Sequence, residues 1–219
     1  WATGDRGSDP VSLLAYIRGC RQIEAARELS ELLSVGVRSG PVPERKPEPV
    51  PDPTAFEPAL NLWRSCVPIS GTLGEAYLKG RGITIDPGGS VRFSPTLPYW
   101  WRPTDAERFI KLGEYPALVL AVAYGDQRNA IAVHRIYIDP DTIDKVFLPD
   151  PEEEGETLPA KKAYGSVRGC HIPFGPPVEG DLLVTEGPEN ALSLMQATGL
   201  PAWSVIAAGN MPGVHLPRL

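Results

Sequence analysis

Glu186 closes a short apolar run, Leu182-Leu183-Val184-Thr185, and Gly187-Pro188-Glu189 follow at once. A carboxylate at the end of a strand, in the turn before a helix, can meet Mg²⁺ or orient a reacting group. The same acid can also stabilise the positive end of the following helix and do nothing further. Glu189 falls in the first helical turn, where capping accounts for it equally well. The apolar run is too short for a helix and suits a buried strand. Gly187 permits a sharp turn, and Pro188 fits the first helical position because its missing N–H costs nothing there. Leu192, Leu194 and Met195 continue an apolar helical face to Thr198, Gly199-Leu200-Pro201 stops it, and a second apolar run spans Ala202 to Ala208. Strand, helix and strand predict a βαβ unit with parallel strands and a right-handed crossover. Glu186 then stands at the carboxyl end of its strand, where open α/β sheets place ligands.

The concentrated basic segment lies upstream: Arg135 with Lys145, and Lys161 and Lys162 with Arg168. Lysine and arginine neutralise triphosphate and backbone charge, so these five are candidates for nucleotide or nucleic-acid contact. Their bland alternative is a solvated strand edge, which lysines often protect. Five carboxylates between Asp150 and Glu156 separate Lys145 from Lys161 and would repel a polyanion unless they point away. Cys170-His171 does not make a metal site by itself, since three or four ligands must converge. His215 is a lone histidine. The glycine-rich Ala208-Gly209-Asn210-Met211-Pro212-Gly213 could approach a phosphate but lacks the Lys-Ser/Thr pair of a P-loop.

Val184-Thr185-Glu186-Gly187-Pro188-Glu189-Asn190-Ala191-Leu192-Ser193 resembles the first motif of the Toprim domain, in the form found in plasmid- and phage-type primases and primase-helicases. The resemblance implies an α/β fold whose parallel sheet begins here. It implies that Glu186 serves as catalytic and metal-binding carboxylate, with Mg²⁺ or Mn²⁺ completed by a later Asp-x-Asp pair. Asn190 stands where many Toprim proteins carry aspartate. The segment from Gly71-Thr72 to Gly82-Ile83 is similar to one just upstream of Toprim in the same group. Lys79 and Arg81 within it read more simply as cations at a helix end. His134-Arg135-Ile136-Tyr137-Ile138-Asp139-Pro140 and Lys161-Lys162 look like the element that packs before Toprim there. The implied activity, in the full-length parent, is a DNA primase, a nucleotidyltransferase joining ribonucleotides on a single-stranded DNA template in mobile-element or plasmid replication, with a helicase domain or subunit as a further partner. The present chain is expected to be inactive alone. A Toprim nuclease or topoisomerase, or a non-catalytic nucleic-acid-binding module, are the alternatives.

The elements that must position these residues follow from the rest of the chain. Trp1 to Pro10 reads as a loop, then Val11, Leu14, Ala15 and Ile17 support one short helix and Ile23, Ala26, Leu29 and Leu33 a second. The loop and first helix are similar to the tail of the primases' zinc-binding domain, whose Zn²⁺ ligands would lie upstream, so residues 1–38 are expected to be its remnant. Six prolines within 39–53 predict an extended linker. Thr54-Ala55-Phe56-Glu57 and Thr72-Leu73-Gly74-Glu75 are capping boxes that each open a helix. Val91-Arg92-Phe93, Ala117 to Tyr124 and Ile131 to Ile138 read as strands, the last two as an antiparallel hairpin. The expected organisation is therefore an N-terminal helical piece, the linker, an α+β subdomain over 54–175 and an incomplete Toprim start over 176–219.

Composition sets the outer limits. Hydrophobic residues at 42% and charged residues at 22% are ordinary for a globular protein. The net charge of −6 means that any nucleic-acid contact needs a local basic patch. Cys20, Cys66 and Cys170 are odd in number and far apart, which disfavours a disulfide framework and suits a reducing cytoplasm. The apolar stretch from Tyr115 to Tyr124 is too short to span a bilayer, so no membrane partner is expected. An opening Trp1 and the lack of an Asp-x-Asp pair between Glu186 and Leu219 read as a fragment of a larger protein.

Overall fold

The computed structural model describes residues 10–32, 57–126, 129–176 and 180–217. The chain divides into two units, residues 1–47 and 48–219. In the first, α1 (Pro10–Arg18) and α2 (Gln22–Leu32) form a helical hairpin that turns at Gly19, whose φ of 62° suits glycine. Arg18 pairs with Glu28 across it at 2.6 Å. Ile17, expected to support the apolar face of α1, is 66% exposed. The 39–53 linker, residues 1–9 and the capping residues Thr54 to Phe56 lie outside the described residues.

The second unit is mixed α/β and is built on one eight-stranded, mostly antiparallel sheet. Its spine is β3 (Ile110–Tyr124), which runs antiparallel to β2 (Val91–Trp101) and to β4 (Ala132–Tyr137). The β3–β4 pairing is the hairpin that alternation predicts. β1 (Val67–Pro68) extends β2, and β7 (Lys161–Tyr164) extends β4. A separate two-stranded ribbon joins β5 (Leu148–Pro149) to β6 (Thr157–Leu158).

Residues 117–124 of β3 are buried on both faces, because two cores sandwich the sheet. Leu118, Leu120 and Val122 face a core shared with Tyr77, Leu78, Ile172, Ala191 and Leu192. Ala117 and Val119 face a second core with Tyr99, Val133, Tyr137 and Ala59 of α3 (Glu57–Ser65). Two tyrosine hydroxyls tie strands together over that second face. Tyr99 Oη donates to Pro159 O and Tyr137 Oη to Pro98 O, both at 2.9 Å.

The last two residues of β3 pair with β8 (Cys170–Phe174), and β8 pairs antiparallel with β10 (Ala202–Ser204). β10 runs parallel to β9 (Leu183–Thr185), with α5 (Pro188–Thr198) between them in sequence, which is the expected βαβ unit. That unit therefore continues the antiparallel sheet and contributes its one parallel pair among the described residues. Gly199, with φ of 73°, ends α5 where the sequence expects a stop. Gly187 has φ −102° and ψ 147°, extended backbone open to any residue, so the turn does not require glycine's freedom.

α4 (Leu73–Gly80) ends in a Schellman motif: Ile83 N donates to Leu78 O and Gly82 N to Lys79 O, with Gly82 at φ 76°. At its start the capping box is rearranged. Glu75 accepts from Gly71 N at 2.8 Å, and the Thr72 hydroxyl turns back to donate to Ile69 O. No described helix is long and apolar enough to cross a membrane.

Candidate functional site

The backbone that presents Glu186 is pinned from both sides. Ser204 Oγ donates to Glu186 O at 2.8 Å, and Thr185 Oγ1 donates to Gly187 O at 3.0 Å. Glu186 thus follows directly on the carboxyl end of β9, beside the parallel strand β10. Its side chain is exposed, and among the described residues its carboxylate takes part in no hydrogen bond or ion pair.

Glu189, one turn later, behaves in the opposite way. Its side chain is only 13% exposed and faces three donors, from α4, from β7 and from the loop after β4. Lys161 Nζ of β7 lies 2.6 Å away, Tyr77 Oη of α4 2.8 Å, and Lys145 Nζ 3.6 Å. Burial pushes the Glu189 carboxyl up, but the hydrogen bond and charge of Lys161, with Tyr77, outweigh it and hold the group at about 2. Tyr77 is raised in turn by burial and by the Glu189 charge, so it stays protonated and donates. Lys145 is lowered by burial and then by the like charge of Lys161. An isolated bridge between Ile138 and Lys145 fixes the loop after β4.

Arg81 completes the cluster. It pairs with Asp144, and its guanidinium lies 5.2 Å from the Tyr77 ring centroid. The reading of Lys79 and Arg81 as helix-end cations therefore divides: Lys79 pairs with Glu75 at i,i+4, while Arg81 joins the site. Three cations face Glu189 and Asp144 here, and the exposed Glu186 carboxylate stands at the neighbouring strand end.

His134 shares the Lys161 face of β4, since His134 pairs with Ala163 and Ile136 with Lys161. It is buried, and among the described residues neither ring nitrogen has a hydrogen-bond partner. Burial, then the charge of Lys161, lowers it to about 4, so the ring is neutral near pH 7. Gln196 of α5 ties the exit of α4 to the same layer, accepting from Thr84 N at 2.7 Å and donating to Gly82 O at 2.9 Å.

The five basic residues expected to act together are divided by the sheet. Lys145 and Lys161 meet at Glu189. Lys162 and Arg135 face the other way: Lys162 Nζ donates to Trp100 O, and Arg135 donates to Ala163 O and the Tyr137 hydroxyl. The physical reason is strand alternation, which sends adjacent side chains of β7 to opposite faces. Arg168 is exposed on the turn between β7 and β8. Sequence reasoning left Glu189 as a cap and omitted Tyr77 and Asp144, because their partners are remote in the chain. The one local signal was a second acid one turn after Glu186.

The glycine-rich segment is a 3-10 helix, Ala208–Gly213, clamped by a single side chain. Asn210 Oδ1 accepts from Gly169 N at 2.7 Å, and its Nδ2, with two hydrogens to share, lies 2.9 to 3.0 Å from Val167 O, Cys170 O and Val205 O. Among the described residues no three His, Cys, Asp or Glu side chains converge as a metal site. Glu186 alone does not fit Mg²⁺, which needs several placed oxygen ligands.

Fold and site define a mixed α/β unit in which a half-buried, lysine-held carboxylate follows an exposed one by three residues. A family model described as a domain of unknown function, DUF7146, matches residues 54–174, and the chain belongs to that family. The matched segment supplies Tyr77, Arg81, Asp144, Lys145 and Lys161, while Glu186 and Glu189 lie beyond it. No curated protein and no solved structure matches the chain.

Proposed function

We propose that the chain is part of a Toprim-type DNA primase that joins ribonucleotides on a single-stranded DNA template. The observation that carries this reading is the uncommitted Glu186 carboxylate at the end of a parallel strand, one turn before a carboxylate that two lysines hold. Lys161 reaches the turn itself: its Nζ lies 3.9 Å from where a Cβ on Gly187 would sit. A phosphate entering there would meet the ammonium groups of Lys161 and Lys145, with Arg81 beside them. Lysine and arginine supply the charge neutralisation that phosphoryl transfer requires.

Within this reading each group has a task. Glu189 and Tyr77 fix the direction of the Lys161 ammonium, and Lys161 draws the triphosphate to the strand end. Glu186 would contribute one carboxylate to a Mg²⁺ or Mn²⁺ site, which it does not complete by itself.

The test is primer synthesis by the protein carrying Glu186→Gln, which keeps size and polarity and removes the charge. Synthesis should fall by at least about 100-fold, as for loss of an electrostatic group in a site of this kind. Unaltered synthesis would leave Glu186 as a helix-start carboxylate only. Loss of synthesis alongside retained strand cleavage would transfer the reading to a Toprim nuclease.

A further inference from the structure

Four described lysines stand beside a carboxylate, and three of them hold it at hydrogen-bond distance. Lys79 Nζ lies 2.9 Å from Glu75, Lys111 Nζ 2.8 Å from Glu114 and Lys161 Nζ 2.6 Å from Glu189. Lys145 Nζ is 3.6 Å from Glu189 Oε1, beyond a hydrogen bond. Both carboxylates near it are committed elsewhere. Glu189 accepts from Lys161 and Tyr77, and Asp144 accepts from Arg81 and from the backbone N of Lys145 itself.

The Lys145 amine thus faces a carboxylate that a second ammonium, Lys161, already holds, with the Arg81 guanidinium on the adjoining Asp144. Burial and then the charge of Lys161 disfavour its protonated form; Glu189 opposes them and Arg81 adds to them, and the net direction is down. Tyr77 stays protonated and His134 is neutral near pH 7, so neither brings charge to the amine. A lysine desolvated beside another cation is how a nucleophilic amine is made. The side chain is nonetheless 32% exposed and open to a reagent from solvent. Lys162 is lowered as well, but its Nζ donates to Trp100 O and lies over the Tyr99 ring, contacts that favour the charged form.

We propose that Lys145 is a site of lysine acylation by acyl phosphates, small anionic acyl donors whose phosphate rests on Arg81 and Lys161 while the amine reacts. The neutral amine attacks the acyl carbon. An N–C bond forms, the C–O bond to phosphate breaks, and the electron pair leaves with the phosphate, which takes up the amine proton. The donor is activated already, so the transfer needs no oxidant or reductant. The product is an uncharged amide, which leaves Lys161 on Glu189 and removes one of the three cations of the site. Under the primase reading that loss weakens phosphate attraction, so the modification turns the site down. The acylation itself rests on the packing around Lys145 and requires no catalytic role for Glu186.

The experiment incubates the 219-residue chain with acetyl phosphate near neutral pH and follows each lysine by peptide mass spectrometry. Lys145 should acylate at least about tenfold faster than Lys79 and Lys111, although these are more exposed, at 57% and 47%. Added inorganic phosphate should slow Lys145 by competing for the same cations and leave Lys79 and Lys111 unchanged. In urea the three should react alike, because the groups around Lys145 are then dispersed. Equal rates in the folded chain, a faster Lys162, or a preference that survives urea would overturn the proposal. So would indifference of Lys145 to added phosphate. The assay reads no nucleotide chemistry, so failure of the acylation and failure of the primase reading are separate results.

Discussion

Lys161 and Lys162 are neighbours in the chain and belong to opposite faces of the sheet. Lys161 Nζ donates to Glu189 Oε2 at 2.6 Å, while Lys162 Nζ sits 4.3 Å from the Tyr99 ring centroid. One lysine is therefore paired with a carboxylate inside the candidate site, while the other has no carboxylate partner among the described residues. A double substitution at 161 and 162 would merge two effects that single substitutions separate.

Glu189→Gln should destabilise the fold by about 3 kcal/mol, because it leaves two half-buried ammonium groups without their shared counter-charge. The pH dependence has a definite sign. The ordinary carboxyl value is 4.5 and the folded state holds Glu189 at about 2, so its contribution is complete above 4.5 and is lost as pH falls towards 2. Urea unfolding across that window should show the slope in the unaltered chain and a flatter curve in the variant. Glu186→Gln should stay within about 0.5 kcal/mol of the unaltered chain, since its carboxylate is exposed.

His134 adds a second acid-sensitive window. Its ordinary value is 6.5 and the fold lowers it to about 4, so the unfolded chain takes up the proton first and stability declines as pH drops through that range. Lys161 and Arg135 disfavour the charged ring, and Glu189 favours it. His134→Leu should flatten stability between pH 6.5 and 4. It should also raise stability at pH 8 by roughly 1 kcal/mol, since two unpartnered buried nitrogens disappear. A steep slope persisting in the variant would assign the window to another group.

Two glycines separate packing from backbone freedom. A Cβ on Gly74 would come 2.7 Å from Leu118 Cδ2 and 2.9 Å from Phe93 Cδ2, so Gly74→Ala should cost about 1–3 kcal/mol by forcing α4 off the sheet. A Cβ on Gly187 meets Glu189 Oε2 at 3.6 Å and Lys161 Nζ at 3.9 Å, ordinary contacts on extended backbone. Gly187→Ala should therefore fold with near-unaltered stability, and thermal melts of the two variants should differ clearly.

Asn210→Ala should lower stability by about 2 kcal/mol, since its amide oxygen accepts one backbone N–H and its two amide hydrogens are shared among three backbone carbonyls. Limited proteolysis should then cut within 208–213 faster than in the unaltered chain. Equal cleavage rates would mean that the 3-10 helix is held by its own packing.

What could be read from the chain is what neighbouring residues decide among themselves. The β9–α5–β10 order, the stop at Gly199, Pro188 at the first helical position and the alternation of β4 all rest on local sterics and on periods of 2 or 3.6 residues. Burial of Leu118, Leu120 and Val122 follows equally from their apolar run. The division of labour between Glu186 and Glu189 does not. Both acids flank one turn, and only the folded sheet brings Tyr77, 112 residues away, and Lys161, 28 away, to one of them. The meeting of Lys145 with Lys161 at Glu189 likewise exists through the pairings that bring the loop after β4, β7 and α5 together. Alternation shows that Lys161 and Lys162 part company, but which face receives the carboxylate is set by the helices that cover it. Long-range pairing is where tertiary structure decides, because a side chain's electrostatic surroundings come from whatever the sheet and helices place within a few ångströms of it.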